Sequence, residues 1–368
     1  MRITGVDVLN LSCRLEEPLR WSTGTALYRN SVIVRLSTDE GVTGFGEADS
    51  ELAHRALAPT IEQELKPLLI GRDPFDSDRI WEDYFSHAMS AMRLKGLLIN
   101  AISAVDIALW DIKGKGLGRP VYQLLGGACL DRIPAYATGL YFKDIRSLCD
   151  EASTYLERGF TAMKLKIGNG LEKDEDIVRA VRDTTGGDTT LMVDANGRYS
   201  AKSAIKVGRI LERYDVYWFE EPVPSEDIDG YRQVRSALDV AIAGGECEYT
   251  RYGFRDLIST RAVDIVQPDC TRAGGITECK KIGSMASAWN ISYAPHVWGS
   301  AVGFAAALQL SCNLRNLAFF EYDQTPNPLR DELAIEPFQF KKGFIELPKA
   351  PGLGLELNEQ VIHRYGSG

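Results

Sequence analysis

From Ile133 to Asp323 the chain alternates between short apolar runs and longer mixed stretches. The runs read IPAYATG, TAMKLKIG, LMVDAN, VYWFEEP, VAIAGGE, VDIVQPD, ISYAPHV and LAFFEYD. Their near-continuous apolar character predicts strands buried on both faces, as in a parallel sheet. The stretches between them, among them Asp144–Arg158, Glu175–Asp183, Ala201–Tyr214 and Ile276–Trp289, predict helices. Ala301–Leu314 is small and apolar and predicts a helix packed tightly on the strands. Alternation of this kind can wind an open sheet or close a barrel. Eight strands in register are better closed, so the pattern predicts an α/β fold, a (β/α)7β TIM-like barrel.

The chain before this region has another rhythm. Ile3–Leu11, Ser31–Ser37 and Gly41–Glu47 alternate as strands, and His54–Leu69, Asp76–Ala91 and Leu98–Lys113 read as helices. Strands followed by helices predict an α+β unit. A Gly-rich joint, LLGGACLDR, ends it. After Asp323 the chain is rich in Pro and turn residues and has little helical pattern, so it is expected to return to the N-terminal unit. The expected organisation is an α+β capping domain over 1–128, the barrel over 129–325 and the tail over 326–368.

Composition narrows the function classes. The 368 residues leave room for a barrel of about 250 residues and an accessory domain. The formal net charge of −9 is spread along the chain, and no basic cluster points to nucleic acid. No run approaches the roughly 18–20 apolar residues of a membrane span. The seven cysteines are scattered without a CxxC pair, and MRITGVDVLNL lacks the apolar core of a signal peptide. The expectation is a cytoplasmic protein with reduced thiols, acting on a small molecule rather than on nucleic acid or membrane.

The chemistry lies at the strand ends. Asp194, Glu220 and Glu246 are 26 residues apart at each step, and each closes an apolar run. Three carboxylates delivered to one end of a barrel suit a hard divalent cation, Mg²⁺ with Mn²⁺ as a substitute, one per subunit. Glu221 serves as a control: adjacent strand residues face opposite ways, so a regular strand would turn it away from that point, to pair locally with a neighbouring lysine. The second run ends in Lys164 and Lys166, which share one face of a strand. Asp194 is followed by Asn196, and the last three runs end in Asp269, His296 and Glu321. In a barrel enzyme this end carries the reaction.

KLK on the second strand, the Asp/Glu/Glu series, the Asp–His pair and the glutamate of the eighth strand together resemble the enolase superfamily, in its mandelate racemase subgroup. The resemblance covers essentially the whole chain. AYATG, GGE followed by RYG, VDIVQPD, PHVWGS and FEYDQTPNPLR are similar to galactarolactone cycloisomerases and neighbouring acid-sugar dehydratases. The resemblance also implies a symmetric homo-oligomer, from dimer to octamer.

Removing a proton α to a carboxylate creates an enediolate that is very unstable in water, and a cation at the three carboxylates would offset its charge. Lys164 is expected to pair with the substrate carboxylate, and Glu321, if protonated, to donate to its other oxygen. Lys166, with its pKa lowered by Lys164 and the cation, and His296, oriented by Asp269, are the two proton handlers. The expected reaction is proton abstraction from an acid sugar or its lactone, then β-elimination by dehydration or ring opening. The alternative is a racemase or epimerase of a 2-hydroxy or amino acid derivative, with Lys166 and His296 on opposite faces. A metal-dependent hydrolase would want an HxH pair that the chain lacks. Substrate contacts are expected from the loop Leu19–Arg29, with Arg20, Trp21 and Thr23, from the segment after Glu47, and from Asn196, Tyr141, Trp298 and Asp323.

Overall fold

The structure is a computed structural model and describes residues 1–50, 54–90 and 95–366. Strands β1 (Ile3–Trp21), β2 (Gly24–Thr38) and β3 (Thr43–Ala48) form an antiparallel sheet in the order β1-β2-β3. The loop expected over Leu19–Arg29 is instead the end of a β-hairpin, in which Trp21 faces Gly24 across a two-residue turn. The alternation of buried Cys13, Leu15 and Leu19 carries β1 past Leu11. A register shift between Arg14 and Leu19 absorbs the Glu-Glu-Pro interruption that hides this strand in the sequence. Of the segment after Glu47, residues 51–53 lie outside the described residues, as does Ala91.

The helix Leu97–Gly116 is apolar on nearly every side because it is covered on nearly every side. It packs on β3 and on the barrel helix Gly275–Ala288. Gly44 and Gly46 of β3 permit that approach: a Cβ at Gly46 would collide with the carbonyl oxygen of Ala104. Gly46→Ala is therefore expected to cost at least about 1–3 kcal/mol, read as a lower denaturation midpoint. The cap docks on the barrel through Trp81, whose indole N–H donates to the Gly274 carbonyl, and Ser103, whose hydroxyl accepts from the Gly274 N–H.

The barrel strands are β4 (Arg132–Leu140), β5 (Ala162–Lys166), β6 (Thr190–Asp194), β7 (Val216–Glu220), β8 (Ala241–Gly244), β9 (Ile265–Val266), β10 (Ser292–Tyr293) and β11 (Phe320–Asp323). They pair in parallel in chain order from β4 to β10, and β11 pairs with β4. A parallel bridge between Tyr293 and Leu317, just ahead of β11, links the remaining edges. The interior is a layer built from Tyr136, Met192, Trp218 and Ala243 with smaller side chains between them. Register sets the functional row: Lys166 pairs with Asp194, and Asp194 with Glu220.

The tail divides its contacts. Strands β12 (Phe340–Lys341) and β13 (Phe344–Glu346) form a hairpin that pairs antiparallel with the start of β4. The final helix, Glu359–Tyr365, packs on β1, and Gly366 bridges to Leu11. Among the described residues no helix is long and apolar enough to cross a membrane.

Candidate active site

The ends of β5, β6 and β7 bring Lys166, Asp194 and Glu220 into one row, all of them buried. Glu246 lies two residues beyond β8, and Asp269 and His296 each lie three residues beyond β9 and β10. Oxygens of Asp194, Glu220 and Glu246 fall within 4.8 Å of one another. Their crowding has an electrostatic signature. Burial pushes Glu220 up to about 8, against the Lys164 ammonium and with the help of Asp194 and Glu246. Oε2 of Glu246 is buried and has no hydrogen-bond partner. Three converging carboxylates, one of them raised by burial and its neighbours and one with an oxygen that has no hydrogen bond, fit a hard divalent cation.

Both lysines are drawn into this cluster. Lys164 Nζ lies 2.6 Å from Glu220 and 3.0 Å from Glu321, and is almost wholly buried beneath the pocket. It is thus held by carboxylates of the chain. Lys166 Nζ lies 2.5 Å from Asp194 and lines the pocket. Its pKa is raised rather than lowered: burial and Lys164 push it down, but the adjacent Asp194 outweighs them.

Glu321 sits among several donors and positive charges. Burial alone would raise it, but the charges of Lys164 and His296, the Val297 N–H and the Thr138 hydroxyl hold it at about 2. In this arrangement it is held as an ionised acceptor. His296 Nδ1 sits 2.7 Å from Asp269, which in turn accepts from the Thr271 N–H and hydroxyl. Nε2 faces Glu246 at 3.7 Å. Burial lowers the imidazole pKa, but Glu246 and the bond to Asp269 push it up to about 10. In this arrangement His296 and Lys166 both carry their protons. The carboxylates that hold them so are the ones a bound cation would neutralise.

Glu221 corrects the regular-strand argument. Its φ of +39° ends β7 at Glu220 and turns the Glu221 side chain into the pocket, where Lys166, the nearest lysine charge acting on it, is itself paired with Asp194. Oε1 of Glu221 has no hydrogen-bond partner, and burial with the neighbouring carboxylates raises its pKa well above the ordinary range. Asn196, at φ +46°, occupies the matching turn after β6 and also lines the pocket. Left-handed backbone at two non-glycine residues beside a reactive cluster is strain of the sort that functional sites hold.

The cavity above this row measures about 600 Å³, with Lys166, His296, Glu246 and Glu321 on its wall. The hairpin tip closes it: the Ser22 hydroxyl donates to the Ala195 carbonyl, and the Phe142 N–H donates to the Arg20 carbonyl. Trp21 and Thr23 face the cavity, whereas the Arg20 side chain is exposed and takes no part in its lining. Trp21 meets Tyr141 and Trp298 edge to face, and the Trp298 indole N–H donates to the Tyr141 hydroxyl at 2.9 Å.

Asp323 is no pocket wall. It is buried under Trp298, paired with Arg29 at 2.6 Å and Arg330 at 3.1 Å. Arg29, which the sequence reading passed over, is 2% exposed and lies 3.9 Å over the Trp298 ring. Arg29→Met would leave Asp323 with the Arg330 charge and the Thr325 donors, and free Trp298 to move. The expected cost is about 3 kcal/mol in urea unfolding, with a raised KM for the substrate. Glu47 was likewise missed. From β3 it accepts the N–H groups of Ser300 and Gly303 and so caps the barrel helix Ala301–Ser311.

Two family models match the chain. The mandelate racemase / muconate lactonizing enzyme N-terminal domain covers residues 3–126, and the enolase C-terminal domain-like model covers residues 147–361. The chain belongs to the enolase superfamily, in its mandelate racemase and muconate lactonizing branch, and is an enzyme of the lyase and isomerase kind.

Among its relatives, it is 37% identical over 377 residues to the D-galactarolactone cycloisomerase of Agrobacterium fabrum, covering 99% of each chain. It is 36% identical over 338 residues to the arabinonate dehydratase of Saccharolobus solfataricus, covering 91% of this chain and 90% of that one. The crystal structure of the 3,6-anhydro-D-galactonate cycloisomerase from Zobellia galactanivorans superposes with a TM-score of 0.93 at 38% identity, over all of both chains. That of an enolase superfamily member from Polaromonas sp. JS666 gives 0.95 at 36% identity, over 100% of this chain and 98% of that one.

Proposed function

We propose that the protein removes the proton α to the carboxylate of an acid sugar or its lactone and then eliminates the β-substituent. The observation that carries this is one cavity whose wall holds Lys166, His296 and Glu246, floored by the carboxylate row. Asp194, Glu220 and Glu246 would hold Mg²⁺, which supplies positive charge opposite the enediolate that forms on the substrate. The relatives named as acid-sugar dehydratases and cycloisomerases support the same reaction class.

The chain's own groups divide the remaining work. Of Lys166 and His296, one takes the α-proton and the other delivers a proton to the departing β-oxygen. In a dehydration the C–H electron pair becomes the new C=C bond and the β-hydroxyl leaves as water. The enol then takes a proton at the β-carbon and becomes a 2-keto acid. In a lactone whose ring oxygen is β to a free carboxylate, the same step opens the ring. Asp269 fixes the His296 ring and directs Nε2 toward Glu246. Trp21, Tyr141 and Trp298 offer ring faces and edges to the carbon skeleton and help exclude water.

A screen of aldonic and aldaric acids and their lactones with Mg²⁺ tests the proposal. Keto-acid formation from at least one of them is expected, and its disappearance in Lys166→Ala ties it to this site. A screen that yields only epimers would transfer the assignment to the racemase reading, which uses the same two groups.

A further inference from the structure

We propose that Glu221, Glu246 and Cys247 form a second cation site, one that takes thiophilic divalent ions of the Zn²⁺ and Cd²⁺ type. Ligand atoms of these three side chains lie within 4.8 Å of one another, a grouping distinct from the Asp194–Glu220–Glu246 cluster but sharing Glu246 with it. All three line the cavity. One observation says that the grouping lacks a partner. Oε1 of Glu221 has no hydrogen-bond partner, although Glu221 is only 4% exposed, and Oε2 of Glu246 has no hydrogen bond and meets His296 Nε2 at 3.7 Å. A buried carboxylate oxygen such as Glu221 Oε1, facing a cavity without a donor, is costly unless something positive meets it.

The donor set decides which ion. Two carboxylates and a sulfur make an S/O site that borderline and soft cations favour, whereas the neighbouring all-oxygen cluster favours a hard one. Tetrahedral bonds of roughly 2.0–2.3 Å place donor atoms about 3.3–3.6 Å apart, so modest rotation of exposed Cys247 and the two glutamates closes the site. Binding breaks the S–H bond, forms the metal–sulfur bond and releases one proton to solvent. The fourth position is left for water.

The place gives the site a consequence. An ion held there draws Glu246 away from the hard-cation cluster and faces His296, whose Nε2 is 3.7 Å from Glu246. Thiophilic ions would therefore displace Mg²⁺ and silence the enzyme. This competition rests on the proposed function; the sulfur-containing site does not.

The test uses the full chain freed of metal by chelation, with Cd²⁺ as the probe, read by its ultraviolet thiolate charge-transfer band and by calorimetry. One Cd²⁺ is expected to bind with the band, and added Mg²⁺ is expected to weaken its apparent affinity. Cys247→Ala should abolish the band, and both it and Glu221→Gln should bind Cd²⁺ at least about tenfold more weakly. Cys129→Ala, which removes the other exposed thiol, should bind as the wild type does. A band retained in Glu220→Gln, whether or not that variant still binds Mg²⁺, supports this site independently of the proposed reaction. Equal band and affinity in wild type and Cys247→Ala would overturn it.

Discussion

Glu220→Gln is expected to abolish the effect of Mg²⁺ on the protein and to lower turnover by about 10²–10³-fold or more. Glu220 stands in the middle of the row: it is in register with Asp194, 2.6 Å from Lys164, and it accepts from the Trp218 indole and the Gln267 amide. A glutamine fills the same space and still accepts those two bonds, so the barrel should keep its fold. It removes one of three charges that would hold the cation. In the wild type, Mg²⁺ at a hundredfold excess over its Kd should stabilise the native state by about 2.7 kcal/mol. The measurement is the thermal midpoint with and without Mg²⁺. A shift in the wild type that vanishes in Glu220→Gln fits the account, and an equal shift in both would remove the metal assignment.

Lys166→Met and His296→Asn are each expected to lower turnover by about 10²–10⁴-fold, the range for loss of a general acid or base. Lys166 supplies the ammonium beside Asp194, and His296 the imidazole held by Asp269. Neither packs in the apolar core, so circular dichroism should show both variants folded. The two should fail differently. The variant that has lost the base should no longer exchange the α-proton of substrate with solvent. The variant that has lost only the acid should still exchange it while forming little keto acid. If one variant keeps full turnover, that residue has no part in the reaction, and the use of two proton handlers falls with it.

How much of this the sequence showed depends on the distance over which each feature is decided. The strands of the barrel were legible because burial on both faces leaves a local apolar run. The positions of Asp194 and Glu220 followed because each ends such a run. Glu221 was misread because the argument assumed a strand that continues, and only the backbone shows the left-handed turn that redirects it. The charges of Lys166 and Glu321 were not legible because their pKa values are set by partners across the barrel. Asp194 stands 28 residues from Lys166, and Thr138 stands 183 residues from Glu321.

The cap was the harder half. β1 continues through Glu16, Glu17 and Pro18, a stretch that interrupts its alternation and hid the hairpin. Arg29 and Glu47 find their partners 294 and 253 residues away, and no local pattern announces such pairs. Arg20 is expected in the pocket because it belongs to a polar stretch of the cap, and Asp323 because it lies just past a strand end. Arg20 turns to solvent, and Asp323 serves the wall from behind by holding Arg29.

The most direct test of α-proton abstraction is proton NMR of the wild-type enzyme turning over an acid-sugar substrate with Mg²⁺ in D₂O. The account predicts loss of the C2 proton and a keto-acid product carrying solvent deuterium at C3. A product that keeps its original C2 proton, as simple lactone hydrolysis would give, would contradict it.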